Sequence, residues 1–415
     1  MKAAVVSTHA SPLADTTAPY TDARSIYVAQ ISAAVARQGH EVTVYTRRSD
    51  PDSPDRIATA HGYTVVHVDA GPPEPVSETQ IPEYLGEFGH SLALRWAESA
   101  PDVAHAHFWT SGVATELATL GSGVPTVQTF HELGAVKERQ LGRREADSDA
   151  RAKLERLVAR HASWVVATCT EEVQELVRFG VSRSRLSVVP CGVDAEEFCA
   201  HGTCVEHGER PRIVAAATSL ADRGFDTIIL ALRHIPQAEL IIVGGPDPGH
   251  LSDSAEVRRL AELASELGVA DRVVFTGAIA HSSMPHMLRS ADVVISAPWY
   301  EGFGTVPLEA MACGIPVIAS AVGGTLDTVV DEVTGRLVPP RNPRAIAAAA
   351  SPILDDTFLR RSLGLAGRDR VCARYTWDRI AEEMLRIYHK ATGTRGEHDR
   401  NRTPGVDSAI SRRGS

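Results

Sequence analysis

The sequence predicts an α/β protein built from two doubly wound domains in series with a cleft between them. Three observations carry this. Short apolar runs alternate with helical patterns, as in a parallel sheet covered on both faces; the rhythm breaks at the polar segment 200–210 and then restarts; and 415 residues exceed what one ordinary core organises.

In the first half "KAAVVS", "EVTVYT", "TVVHV", "DVAHAH", "PTVQTF", "SWVVAT" and "LSVVP" read as strands. Amphipathic stretches separate them. In "TDARSIYVAQISAAVARQG", Ile26, Ala29, Ile31, Ala33, Ala34 and Val35 form an apolar face of helical period, and Gly39 follows as a stop. In the second half "RIVAAAT", "AELIIVGG", "DRVVFTG", "ADVVISA", "IPVIAS" and "GRLVPP" are strands. The helices between them are "DTIILALRHI", "SAEVRRLAELASELG", "SMPHMLRS" and "VPLEAMACG". Domain bounds of 1–200 and 211–375 follow. A C-terminal helix over 376–392 offers Ile380, Met384, Leu385, Ile387 and Tyr388 for docking back on the N-terminal domain, and a polar tail over 393–415 reads as disordered.

Composition narrows the function. Acidic side chains number 52 against 42 basic ones, a net charge of −10, which repels polyanions and argues against nucleic-acid binding. No run reaches membrane-spanning length, and "MKAAVVSTHA" reads as a buried strand and not a signal peptide. Six cysteines without a C-x-x-C pair suggest reduced thiols in a cytoplasm. "CAHGTCVEH" sets Cys199, His201, Cys204 and His207 near one another. The spacing is tighter than in a zinc finger and the place suits a linker, which favours a polar hinge over a metal site. Asp50 and Asp52, in a D-x-D, lie among prolines and read as a solvated turn, so no metal is expected.

The chemistry concentrates in "ADVVISAPWYEGFGTVPLEAMACG", a strand, a glycine loop and a helix start. In a doubly wound sheet, ligands lie just there. Gly302 and Gly304 bare the backbone, and the amides of Phe303, Gly304, Thr305 and Val306 suit an anion such as a diphosphate. Glu301 precedes the loop and Glu309 follows one turn into the helix. As acceptor-only groups they suit vicinal hydroxyls, one set on a sugar and one on a ribose, although a solvated loop acid and a helix-dipole partner explain the same pair. A dehydrogenase is a weaker fit, because "VGGPDPG" lacks the G-x-G-x-x-G spacing.

With "VVPCGVD", "PLEAMACGIPVIAS" and "VGGTLDTVVDEVTGRLVPP", this E-x7-E segment resembles the retaining glycosyltransferases of family 4, which have the GT-B fold. "STHASPLA", "DVAHAHFWTSG" and "TFHELGAVK" are similar to the branch that holds sucrose-phosphate synthases and inositol-phosphate N-acetylglucosaminyltransferases. The resemblance spans residues 1–392 or so. It implies transfer of a hexosyl unit, with retention, from a UDP- or GDP-sugar to a small hydroxylated acceptor, the departing phosphate oxygen taking the acceptor proton. It implies sugar contacts for Glu301 and His131, ribose contact for Glu309, phosphate and sugar contacts for residues 302–306, and phosphorylated-acceptor contact near Lys137.

Two departures stand out. "ATSLADRG" replaces a segment in which relatives use arginine and lysine to clamp the diphosphate: Arg223 takes the lysine's place, but uncharged Thr218 takes the arginine's. "YTDARS" replaces a diglycine, which makes Arg24 a candidate replacement cation. The missing arginine keeps a non-catalytic nucleotide-sugar binder open as an alternative, with an epimerase on the same double-domain fold as another.

Overall fold

In the computed structural model, which describes residues 1–13, 22–142, 148–302 and 304–393, two sheets lie in sequence order. The first holds β1 (Lys2–Val6), β2 (Glu41–Arg47), β3 (Arg56–Ala58), β4 (Thr64–Val68), β5 (Val103–His107), β6 (Thr126–Thr129), β7 (Trp164–Ala167) and β8 (Leu186–Val188). Their order is β3-β4-β2-β1-β5-β6-β7-β8, parallel except for β3. The second holds β9 (Arg212–Ala216), β10 (Glu239–Val243), β11 (Val273–Gly277), β12 (Val293–Ser296), β13 (Val317–Ser320) and β14 (Gly335–Val338), in the order β11-β10-β9-β12-β13-β14 and parallel throughout.

Each sheet reverses its winding once, between β1 and β5 and between β9 and β12. A crevice opens outside the carboxyl ends of the strands at such a reversal, and these two crevices face one another. All thirteen predicted strands are present. The additional β3 is a short antiparallel edge strand, exposed at both ends, whose two-residue apolar content gives almost no periodic signal. The sequence predicts no helix between "GRLVPP" and "TWDRI", yet helices Pro343–Asp355 and Thr357–Arg374 fill that stretch. Pro343 lies in the opening turn, where its missing N–H is not needed, and Pro352 is held inside by tertiary packing of Ile346, Ile353 and Leu354.

The first helix, Ala23–Arg37, is capped by Asp22, whose carboxylate accepts the Arg24 N–H at 2.9 Å. Ile31, Ala33, Ala34 and Val35 are buried as expected, but Ala29 is only partly covered. Tyr27 and Val28 enter the core, while Ile26 lines the cleft. The helix is covered from more than one side, so burial no longer follows one stripe. The covering element is the last helix, Trp377–Gly393, which follows the second sheet in sequence but packs on the first. Trp377 meets Tyr27 edge to face at 5.3 Å, Arg37 pairs with Asp378 at 2.7 Å, and the Tyr388 hydroxyl reaches His105 Nδ1 at 2.8 Å. Ile380, Met384, Leu385, Ile387 and Tyr388 are all buried. The tail expected to be disordered lies, from residue 394 on, outside the described residues. None of the described helices is long and apolar enough to cross a membrane.

Candidate active site

The facing crevices form one cleft with two lobes. One lobe, roughly 930 Å³ with its open mouth, is lined by Thr218, Gly244, His281, Thr305, Val306 and Glu309 from the second domain and by Tyr27 and Glu197 from the first. The other, roughly 1,070 Å³ on the same basis, is lined by Arg24, His131, Thr218, Arg223, Glu301 and Gly304. Tyr27, Thr218, Thr305 and Val306 border both. The structure thus gathers nearly every predicted residue. Gly302 borders a smaller pit beside the second lobe, and Phe303 lies outside the described residues.

Helix Thr305–Ala312 starts at Gly304, whose φ of 71° and lack of a side chain leave the first amides without a side-chain cap. Free N–H groups at a helix start favour an anion. The two loop glycines also have a use that the sequence did not reveal. A Cβ on Gly304 would come within 2.9 Å of Glu301 Cγ, and one on Gly302 within 2.6 Å of the His131 carbonyl oxygen. The space freed by the missing side chains is filled by the protein itself: Glu301 folds over Gly304, and the two domains touch through Gly302.

Glu301 Oε2 accepts from Arg223 Nη1 at 2.9 Å. Glu309 is buried, and its Oε1 meets His281 Nε2 at 3.1 Å. Burial disfavours a charged His281, but the hydrogen bond to Glu309, the charge of Glu309, and those of Glu197 and Asp194 together raise its pKa above the usual 6.5. His281 was absent from the sequence-based candidates. The available signal was its place just beyond the carboxyl end of β11, in "TGAIAHSS".

His131 sits at the carboxyl end of β6 with φ 63°, a conformation that costs a non-glycine residue on the order of 1 kcal/mol and re-aims its side chain. Its Nε2 contacts His107 Nδ1 at 3.0 Å and its ring meets Tyr27 edge to face at 4.7 Å. Burial, then the positive charge of Arg24, lower its pKa to about 3, so the ring is neutral and offers a ligand Nδ1. Behind it, His105 Nε2 meets Thr129 Oγ1 at 2.9 Å, which continues the polar chain to Tyr388.

Two expected cations are already occupied. Arg24 lies over the Phe108 ring and pairs with Asp22 at 2.8 Å and with Glu78, so most of its charge is spent inside its own domain. Lys137 pairs with Glu132 at 3.3 Å and borders neither lobe. Its helix runs from Gly134 to Leu141. Thr218 borders both lobes without bringing charge. The Cys199–His207 segment does not converge: Cys199 Sγ donates to the His201 carbonyl, and His207 Nε2 meets Asp292 at 3.1 Å. Among the described residues no group of three or more His, Cys, Asp and Glu is placed to hold a metal ion. Asp50 accepts the Asp52 N–H at 3.0 Å, as in a turn.

Two doubly wound domains closing on a cleft with a glutamate-flanked amide loop define a GT-B glycosyltransferase. The comparisons agree. Residues 25–197 match the model described as Glycosyltransferase Family 4, and residues 205–370 the one described as Glycosyl transferases group 1. A D-inositol 3-phosphate glycosyltransferase of Xylanimonas cellulosilytica is 33% identical over 95% of this chain and 98% of its own, and one of Jonesia denitrificans 33% over 94% and 96%. Among solved structures, sucrose-phosphate synthase of Thermosynechococcus elongatus superimposes with a TM-score of 0.83 at 32% identity, covering 95% of this chain and 99% of that one. The chain belongs to glycosyltransferase family 4, and it is a retaining enzyme that moves a hexosyl unit from a nucleotide-diphosphate sugar to an acceptor hydroxyl.

Proposed function

We propose that the donor spans the two lobes, with its nucleoside in the one lined by Glu309 and its sugar in the one lined by Glu301 and His131. The observation that supports this is the helix start after Gly304, where Thr305 and Val306, with no side-chain cap before them, border both lobes, a position suited to a bridging diphosphate. Glu309 Oε2, not engaged by His281, accepts from a ribose hydroxyl. Glu301 and neutral His131 bind hydroxyls of the transferred hexose.

The acceptor oxygen bonds to the anomeric carbon on the face that the diphosphate leaves. The bond from that carbon to the phosphate oxygen breaks, its electron pair stays on the oxygen, and the acceptor proton moves there. Catalysis is then positioning plus stabilisation of charge growing on the diphosphate. Arg223 and the loop amides supply that stabilisation. Arg223 also fixes Glu301, so one cation serves both the sugar and the leaving group. Thr218 contributes none. A charge-assisted hydrogen bond is worth about 1.5–3 kcal/mol, or roughly tenfold to a hundredfold in rate, which the uncharged position forgoes. The curated relatives named for an inositol phosphate support a cyclitol-sized acceptor.

Glu301→Gln tests the assignment. It is expected to lower kcat by about a hundredfold or more with UDP or GDP binding, measured by calorimetry, changed less than threefold. Full activity in this variant would remove Glu301 from the sugar site.

A further inference from the structure

The lobe assigned to the nucleoside has an uneven charge for the home of an anionic ligand. Three carboxylates line it, Asp194 and Glu197 from the segment after β8 and Glu309 from helix Thr305–Ala312. Among its described lining residues there is no lysine or arginine, and Thr218 brings no charge. Cys191 also borders it, but burial pushes the thiol pKa up, so that group stays neutral. His281 is therefore the lining side chain that can become a cation. Without it, a diphosphate at the mouth of this lobe meets an unbalanced carboxylate charge on Glu309.

The fold places His281 to balance that charge. It follows β11, and its Nε2 meets Glu309 Oε1 at 3.1 Å while the Phe198 ring lies 5.2 Å from its own. Asp194 and Glu197 act on it from the linker side. Asp194 Oδ1 is already taken by the N–H groups of Glu196 and Glu197, at 3.0 and 3.1 Å. Every charged group acting on His281 is thus an acid, and together they outweigh burial and hold its pKa above 6.5. With Oε1 engaged by the imidazole, Glu309 keeps Oε2 for a ligand.

Resting on the donor placement proposed above, we infer that His281 is a positioning residue for the donor: its imidazolium fixes Glu309 through Oε1, turns Oε2 to the ribose, and cancels the carboxylate charge that opposes the diphosphate. Donor binding is then linked to one proton. The nucleotide sugar binds tightly while His281 is charged and more weakly once pH has risen through the His281 pKa; reciprocally, the bound donor raises that pKa further.

The test is calorimetric binding of UDP-glucose and of GDP-glucose to the full chain between about pH 6 and about pH 9. Both are diphosphate diesters without the terminal phosphate that titrates near pH 6, so the ligand itself adds no step there. The tighter of the two is expected to lose about threefold to tenfold in affinity across the window, in a one-proton step. His281→Gln keeps a neutral donor for Oε1 and is expected to bind, at every pH, as weakly as the wild type does at the alkaline end. His281→Lys, a cation up to about pH 10, is expected to keep tight binding throughout. Glu309→Gln is expected to bind about fivefold more weakly at the acidic end and to lose the step, because a charge-assisted hydrogen bond is replaced by a neutral one. Thermal unfolding of each variant identifies a folding defect. A flat wild-type profile, or a step that survives in His281→Gln, overturns the inference; if Glu309→Gln still weakens binding, the donor placement stands. Binding untouched by Glu309→Gln, or no nucleotide-sugar binding at all, sinks the placement and the inference with it.

Discussion

At the scale of single residues, ion pairs at the cleft couple recognition to protonation. His281 has a pKa raised above its unfolded value, so the stability it contributes is fully present below about pH 6.5 and is lost as pH rises through the folded value. NMR titration is expected to show His281 above 6.5 in the native enzyme and lowered in Glu309→Gln; an unshifted midpoint would separate the two groups. Thr218 is the second residue-scale case. Thr218→Arg adds a cation where both lobes meet and is expected to raise kcat about tenfold in a steady-state assay, by adding to the stabilisation proposed for Arg223 and the loop amides. An unchanged rate would mean that the amides and Arg223 already suffice.

At the scale of elements, the last helix supports the reacting end from behind. Its Tyr388 hydroxyl completes the hydrogen bonding of buried His105, which meets Thr129 two residues before His131. Tyr388→Phe leaves His105 Nδ1 buried without a partner, at a cost of about 1–3 kcal/mol measurable by urea unfolding. No loss would show that the histidine finds another partner. The same helix explains why a segment that follows the second sheet in sequence belongs by packing to the first.

For the whole molecule, the polar contacts between the domains among the described residues include Glu171 with the Gly323 amide, Asp327 with the Thr170 amide at 2.6 Å and Arg341 with the Gln140 carbonyl, beside the close approach of Gly302 to His131. Polar contacts at the cleft mouth are ones that a closing motion on a ligand makes and breaks. UDP or GDP at about a hundred times its Kd is expected to add about 2.7 kcal/mol of stability and to slow amide exchange in the loops after β6, β7 and β12. Exchange unchanged in those loops would argue against closure on the nucleotide.

The strands and the glutamate-glycine-helix segment were legible because each is written in consecutive residues: apolar runs, a glycine loop and a helix start need no distant partner. The roles of Arg24 and Lys137 were not legible. Both are basic in the sequence, but their charge is taken up by Glu78 and Glu132, and which acid meets which base depends on how loops stack at the sheet ends.

The sequence by itself determined two doubly wound domains, the glycine loop with its helix start, and the paired glutamates, since local periodicity and backbone freedom suffice for these. Only the tertiary structure decided that Glu301 is held by Arg223 from 78 positions away, that Glu309 rests on His281, and that Glu132 and Glu301 border one pit with three glutamates of helix Thr170–Arg178. Hydrogen bonds and charge interactions act over a few ångströms of space, and chain separation says nothing about that distance until the sheets have closed their order.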